Sequence, residues 1–247
     1  MNKYFILKSI DEAIVKCGQR LRLNENIKNT FNDFAKSTRG RKTEKCIITD
    51  DEGNILKKKS GSATGVEIEA ELFLAFWDEN HRQAVHIEHN HPNKHHSFFP
   101  VQLSGNDINR LLDKCEQIGE HYGEYMVKSI TCEDSFNHSR MTLVRGEDFT
   151  DKNIKTFNEA KSFLDSDVLH KHLGDFHDEL HKEFTKVWEN INPKPVNEKD
   201  YDDLRLKTLF SLADDIIKKS NYQKDLVKAK KLFRNANCRL DVEWVDD

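Results

Sequence analysis

The stretch Val85-His86-Ile87-Glu88-His89-Asn90-His91-Pro92 decides how the rest of the chain is read. From Gln83 to His89 it is β-prone and predicts a strand. Side chains of an extended chain alternate between faces, so His89 and His91, two apart at the strand end, point the same way. Pro92 cannot continue a strand interior and closes the element. A loop then runs to Leu103. Ser104 reads as a helix N-cap, with Ile108, Leu111, Leu112 and Cys115 on one face of the helix that follows.

Upstream, Leu23, Ile27, Phe31 and Phe34 recur at helical spacing within residues 9–35. From Lys42 to Leu56 the period changes. Cys46-Ile47-Ile48-Thr49, the turn Asp50-Asp51-Glu52-Gly53-Asn54 and Ile55-Leu56 predict a β-hairpin. Ser60 to Gly65 reads as a small-residue loop, and Glu69 to Trp77 as a short helix. Downstream, Tyr125–Cys132 and Met141–Arg145 predict two more strands. Residues 40–150 therefore alternate strand and helix, the pattern of an α/β layer. After Thr150 the chain reads as almost wholly helical. Apolar stripes run through Phe157, Ala160, Phe163 and Leu164, and through Leu173, Phe176, Leu180, Phe184 and Trp188. The two prolines of Ile191–Asn197 make a connector, and helix resumes from about Tyr201 to Phe233. The organisation expected is a helical segment over 1–39, an α/β domain over 40–150 and a helical region over 151–247.

Composition narrows the classes. Charged residues are 33% of the 247, yet 15 Phe, 5 Tyr and 3 Trp are too many large anchors for a disordered polyelectrolyte. The longest apolar run, Leu72 to Trp77, is far too short to span a membrane, and Asp11 and Glu12 interrupt any signal-peptide pattern. Five widely spaced cysteines, an odd number without a CxxC, fit reduced thiols in the cytoplasm. Net charge is -4; residues 151–247 carry 18 basic and 20 acidic side chains, so neither part is the concentrated cationic surface of a dedicated nucleic-acid binder. The local basic run from Lys218 to Arg234 is diluted by Asp214, Asp215 and Asp225 and reads as a solvated face.

Two imidazoles converging from one strand end can share a divalent metal. Asp107, in the first turn of the next helix, supplies a third ligand, and a water completes an open tetrahedral zinc site. Such an ion lowers the pKa of its water to about 7. A base is still needed. Glu44, at the head of the strand Glu44–Ile48, is the candidate; Glu88 is closer in sequence but lies on the opposite strand face from His89. The pair His177 and His181 shares a helix face, but Asp178 stands where the H-E-x-x-H pattern needs Glu. Cys46 has no base placed beside it.

Glu44, then His89-Asn90-His91-Pro92, then Ser104-Gly105-Asn106-Asp107 resembles the JAMM/MPN metalloprotease pattern E…H-x-H-P…S-x-x-D. Within that family the wording "DDEGNIL", "SGSATGVEI" and "HNHP" is most similar to the bacterial and phage branch, with its RadC-like and toxin-associated members. The resemblance covers residues 40–150. It implies a mixed sheet flanked by helices, zinc held by His89, His91 and Asp107, Glu44 as general acid/base, and Ser104 as a stabiliser of the tetrahedral oxyanion. It also implies cleavage of amide or isopeptide bonds, in some members at ubiquitin-like tails. One departure is the interval from His91 to Asp107, which is longer than the pattern usually carries. Its usual acid position falls on Gln102, and Asn93–Pro100 reads as an insertion. That insertion adds His95 and His96 near the metal and Phe98-Phe99 as lining for a substrate groove.

The expected function is a zinc-dependent peptidase or isopeptidase acting on a protein or peptide. The competing readings are a JAMM-like binding or scaffold domain with little catalysis, and a RadC-like DNA-associated protein, which the balanced charge disfavours.

Overall fold

The computed structural model describes residues 21, 23–62, 66, 85–92, 98–114, 124–191 and 198–244. Residues 9–20 of the expected N-terminal helix, the expected helix 69–77, His95, His96, Cys17 and Cys115 lie outside the described residues.

The first helix described, α1 (Glu25–Thr38), begins at Asn24, whose side chain accepts the Ile27 N–H at 2.9 Å. The expected hairpin follows as β1 (Lys45–Thr49) and β2 (Ile55–Ser60), antiparallel, with Lys45 opposite Ser60 and the register shifting between Ile48 and Thr49. Its turn is closed by Asp50 Oδ1, which accepts the N–H groups of Glu52 and Asn54. Gly53 sits there at φ 86°, against the backbone of Asn26 and Ile27, so the turn and the start of α1 pack with no room for a side chain.

β3 is Val85–His91 and β4 is Val127–Asp134, running parallel; β5 is Ser139–Arg145, antiparallel to β4. Between β3 and β4 lies α2 (Gly105–Asn109), which passes into a single tight helical turn at Arg110–Leu112. After β5 come α3 (Ile154–Phe163), a wide π-type turn at Leu164–His170, α4 (Lys171–Ile191), α5 (Glu198–Lys219) and α6 (Tyr222–Asn235). The chain then returns as β6, Cys238–Trp244, antiparallel to β5. Among the described residues the sheet is mixed, in the order β2-β1-β3-β4-β5-β6. The expectation of an almost wholly helical region after Thr150 is corrected here. Cys238-Arg239-Leu240-Asp241-Val242-Glu243-Trp244 alternates apolar and polar residues, and Leu240 and Val242 are buried against the helices.

The sheet is covered on both faces. Ile47 faces α1 with Ile27, Phe31 and Phe34, whereas its neighbours Cys46 and Ile48 face the other way. On that second face one core runs without a break across Thr150, from Ile87, Ile130 and Leu143 to Phe157, Phe176, Leu226 and Phe233. The helices after Thr150 thus cover the sheet that carries the histidines. No helix among the described residues is long and apolar enough to cross a membrane.

The α1 face also buries charge. Arg140 lies between Glu88 at 3.3 Å and Glu133 at 3.2 Å, and donates to Asn32 of α1 at 2.8 Å. Glu88, Glu133 and Arg140 are all at most 3% exposed. Two buried carboxylates share this guanidinium, and burial pushes both above the ordinary carboxylate range, Glu133 to about 7. Glu88 is therefore a partner of Arg140, on the face away from His89.

Candidate metal centre

β3 ends where its two histidines leave the sheet on the core side. His89 is 2% exposed and stands in a row with Cys46 of β1 and Cys132 of β4. His91 is half-buried, and its carbonyl accepts the Ser135 N–H at 3.2 Å. The two Nε2 atoms are 3.0 Å apart. Glu44, directly before β1, is buried, with Oε1 3.8 Å from His89 Nε2. One ligand atom from each of Glu44, His89 and His91 lies within 4.8 Å of the other two, a group that can hold a metal ion.

Asp107 reaches the same imidazoles. Its Oδ1 is 3.4 Å from His89 Nε2 and its Oδ2 is 3.9 Å from His91 Nε2. Asp107 is also the third residue of α2 and closes a capping box: Ser104 N–H donates to Oδ2 at 2.7 Å, and Asp107 N–H donates to Ser104 Oγ at 3.2 Å. One side chain thus caps α2 and lies beside both imidazoles.

The long interval before Asp107 is bridged by packing. Phe99, Val101 and Leu103 are buried, with Phe99 against Phe176 and Tyr222. Asn137 Nδ2 donates to the Phe99 carbonyl at 2.7 Å, and Val101 N–H donates to Ser139 Oγ at 2.6 Å. The loop is thereby strapped to the β4–β5 turn and returned to the histidines. Phe99 is consequently a core anchor, not the groove lining expected of it; Phe98 is half-buried, edge-on to Phe136 and Phe210. Asn93–Ser97 lie outside the described residues.

The electrostatics follow from crowding. Burial, only partly offset by His89, raises Glu44 above the usual carboxylate range. Burial pulls the His89 ring down, but Asp107 and Glu44 outweigh it and the net shift is upward. Desolvation, with the charge on His89 beside it, lowers His91 to about 4, and the ring keeps its lone pair at neutral pH. Burial would raise Asp107, but its bonds to His89 and Ser104 hold it far below the ordinary range, so it is ionised. His89 Nδ1 is buried, and the Thr131 backbone favours a proton on the ring. A proton on Nδ1 leaves Nε2 for a ligand.

Arms of about 2.1 Å to a tetrahedral ion give ligand–ligand edges of about 3.4 Å; here the two imidazole Nε2 atoms are 3.0 Å apart and Asp107 Oδ1 is 3.4 Å from His89 Nε2. The other candidates do not assemble. His177 and His181 are exposed on α4, and Cys46 is buried with its thiol pushed up by burial and by Glu44. Asn90 and Ser135, which tie the pieces of the centre together, were not among the residues singled out from sequence. No family model, curated protein or solved structure matches the chain.

Proposed function

We propose that this centre binds zinc and that the protein hydrolyses peptide or isopeptide bonds, as its resemblance to JAMM-type metallopeptidases implies. The observation that carries the reading is the meeting of ligand atoms from Glu44, His89 and His91 within 4.8 Å of one another, with the Asp107 carboxylate beside both imidazoles. Two imidazoles and carboxylate oxygens are a donor set suited to zinc. A zinc ion there supplies Lewis acidity, polarising a carbonyl and acidifying water.

The remaining work belongs to the side chains. Glu44, raised by burial toward neutrality, accepts the proton of the attacking water and returns it to the leaving amine. Ser104 Oγ accepts the Asp107 N–H, so its own hydroxyl hydrogen is available to the oxyanion that develops on the substrate. His91, neutral at working pH, and Asp107, ionised, are already in the protonation states that ligands need. The return of Asp107 despite the long loop supports catalysis over a scaffold role. The mixed sheet with helices on both faces is compatible with a JAMM-type domain. The free thiols of Cys46, Cys132 and Cys238 suit a reducing compartment such as the cytoplasm.

The test is zinc content by mass spectrometry together with cleavage of a panel of peptides and isopeptide-linked proteins. One zinc per chain is expected, with turnover falling at least about hundredfold in Glu44→Gln. A folded protein that takes up no zinc, or undiminished turnover in Glu44→Gln, would overturn the reading.

A further inference from the structure

We propose that Asn90, the residue between the two histidines, is the positioning residue that sets Glu44 against them. Asn90 is 0% exposed and, by strand alternation, points to the face opposite His89 and His91. Its side-chain amide makes three bonds. Oδ1 accepts the Lys45 N–H at 2.7 Å, Nδ2 donates to the Thr43 carbonyl at 3.3 Å, and Nδ2 donates to Ser135 Oγ at 2.9 Å. Thr43 and Lys45 are the residues on either side of Glu44. The backbone of Glu44 itself is bound from the other direction, its N–H donating to Ser62 and its carbonyl accepting from Gly61.

The β1–β3 ladder runs only from Thr49 opposite His86 to Cys46 opposite His89. Beyond Cys46 the Asn90 amide takes over as the link between the two chains. Glu44 is thus gripped on both flanks by a residue covalently joined to both histidines. An apolar side chain at 90 would leave the Lys45 N–H without this acceptor and let the segment carrying Glu44 drift from the imidazoles. A shift of this kind is enough to uncouple a base from its site.

The consequence for the metal rests on the zinc reading above, whereas the clasp does not. A double-mutant cycle on zinc affinity, by chelator competition with the full chain, separates positioning from general loosening. Glu44→Gln is expected to weaken zinc about tenfold in the native background. In an Asn90→Ala background the same substitution should cost less than about threefold, because Glu44 has already been released. An equal factor in both backgrounds would reduce Asn90 to a structural residue and overturn the proposal. Asn90→Ser, too short to span Thr43 and Lys45, repeats the cycle should the alanine variant not fold. Amide exchange of Lys45 tests the clasp with no metal present. It should quicken about tenfold in either variant, and an unchanged rate would overturn the clasp even in a protein that binds zinc. A wild type that takes up no zinc but shows the faster exchange would instead defeat the metal reading and leave the clasp standing.

Discussion

Asp107 stands 3.4 Å from His89 through one carboxylate oxygen while the other accepts the Ser104 N–H at 2.7 Å. Asp107→Asn keeps an acceptor for the cap and loses the charge. Its zinc affinity should fall at least about hundredfold, no less than the loss of an outer partner costs, while its melting temperature without metal stays within a few degrees of wild type. Ser104→Ala should do the reverse, losing about 1 kcal/mol of stability through the cap with zinc retained. Chelator competition and thermal melts on both variants check the pair.

Zinc should stabilise the folded chain, because its ligands meet only there. At a free concentration of about 100 times Kd the gain is about 2.7 kcal/mol, read as a rise in melting temperature that a chelator reverses. His91→Ala should abolish the rise. A rise that persists in this variant would mean that the ion binds elsewhere.

Gly53 combines φ 86° with a site where an added Cβ would lie 2.8 Å from the Asn26 backbone. Both the strain and the clash oppose a side chain, so Gly53→Ala should cost about 2 kcal/mol or more in urea unfolding. The loss should appear as separation of the hairpin from α1, with faster amide exchange across Glu25–Thr38.

The Arg140 network gives a pH dependence with a definite sign. Glu133 is raised to about 7 by burial, against the pull of Arg140, so the folded state keeps a proton that the unfolded chain has released. The stability this contributes is complete below the unfolded carboxylate pKa, about 4.5, and is lost as pH rises through about 7. Glu133→Gln should therefore flatten the decline in melting temperature between those limits. An identical pH profile in the two proteins would show that Glu133 ionises normally.

Much of this was legible locally. The β-prone run Cys46–Thr49, the Asp50–Asn54 turn, the Ser104 cap and the His89/His91 spacing each depend on a few neighbouring residues, and each appears in the structure. β6 is legible too, in the alternation of apolar and polar residues from Cys238 to Trp244. Asp107 closes the cap with one carboxylate oxygen and faces His89 with the other, so the two contacts do not compete.

The set of donors and the period of the elements that carry them are written locally, because chemistry and periodicity are properties of short segments. That Glu44, the histidines and Asp107 meet is a property of the folded chain alone. That meeting depends on long-range terms: the β1–β3 register, the burial of Phe99, Val101 and Leu103 that brings the loop back, and the Asn90 amide that grips both sides of Glu44. None of these is visible along the chain, since each is a contact between residues whose separation in sequence carries no signal of their distance in space.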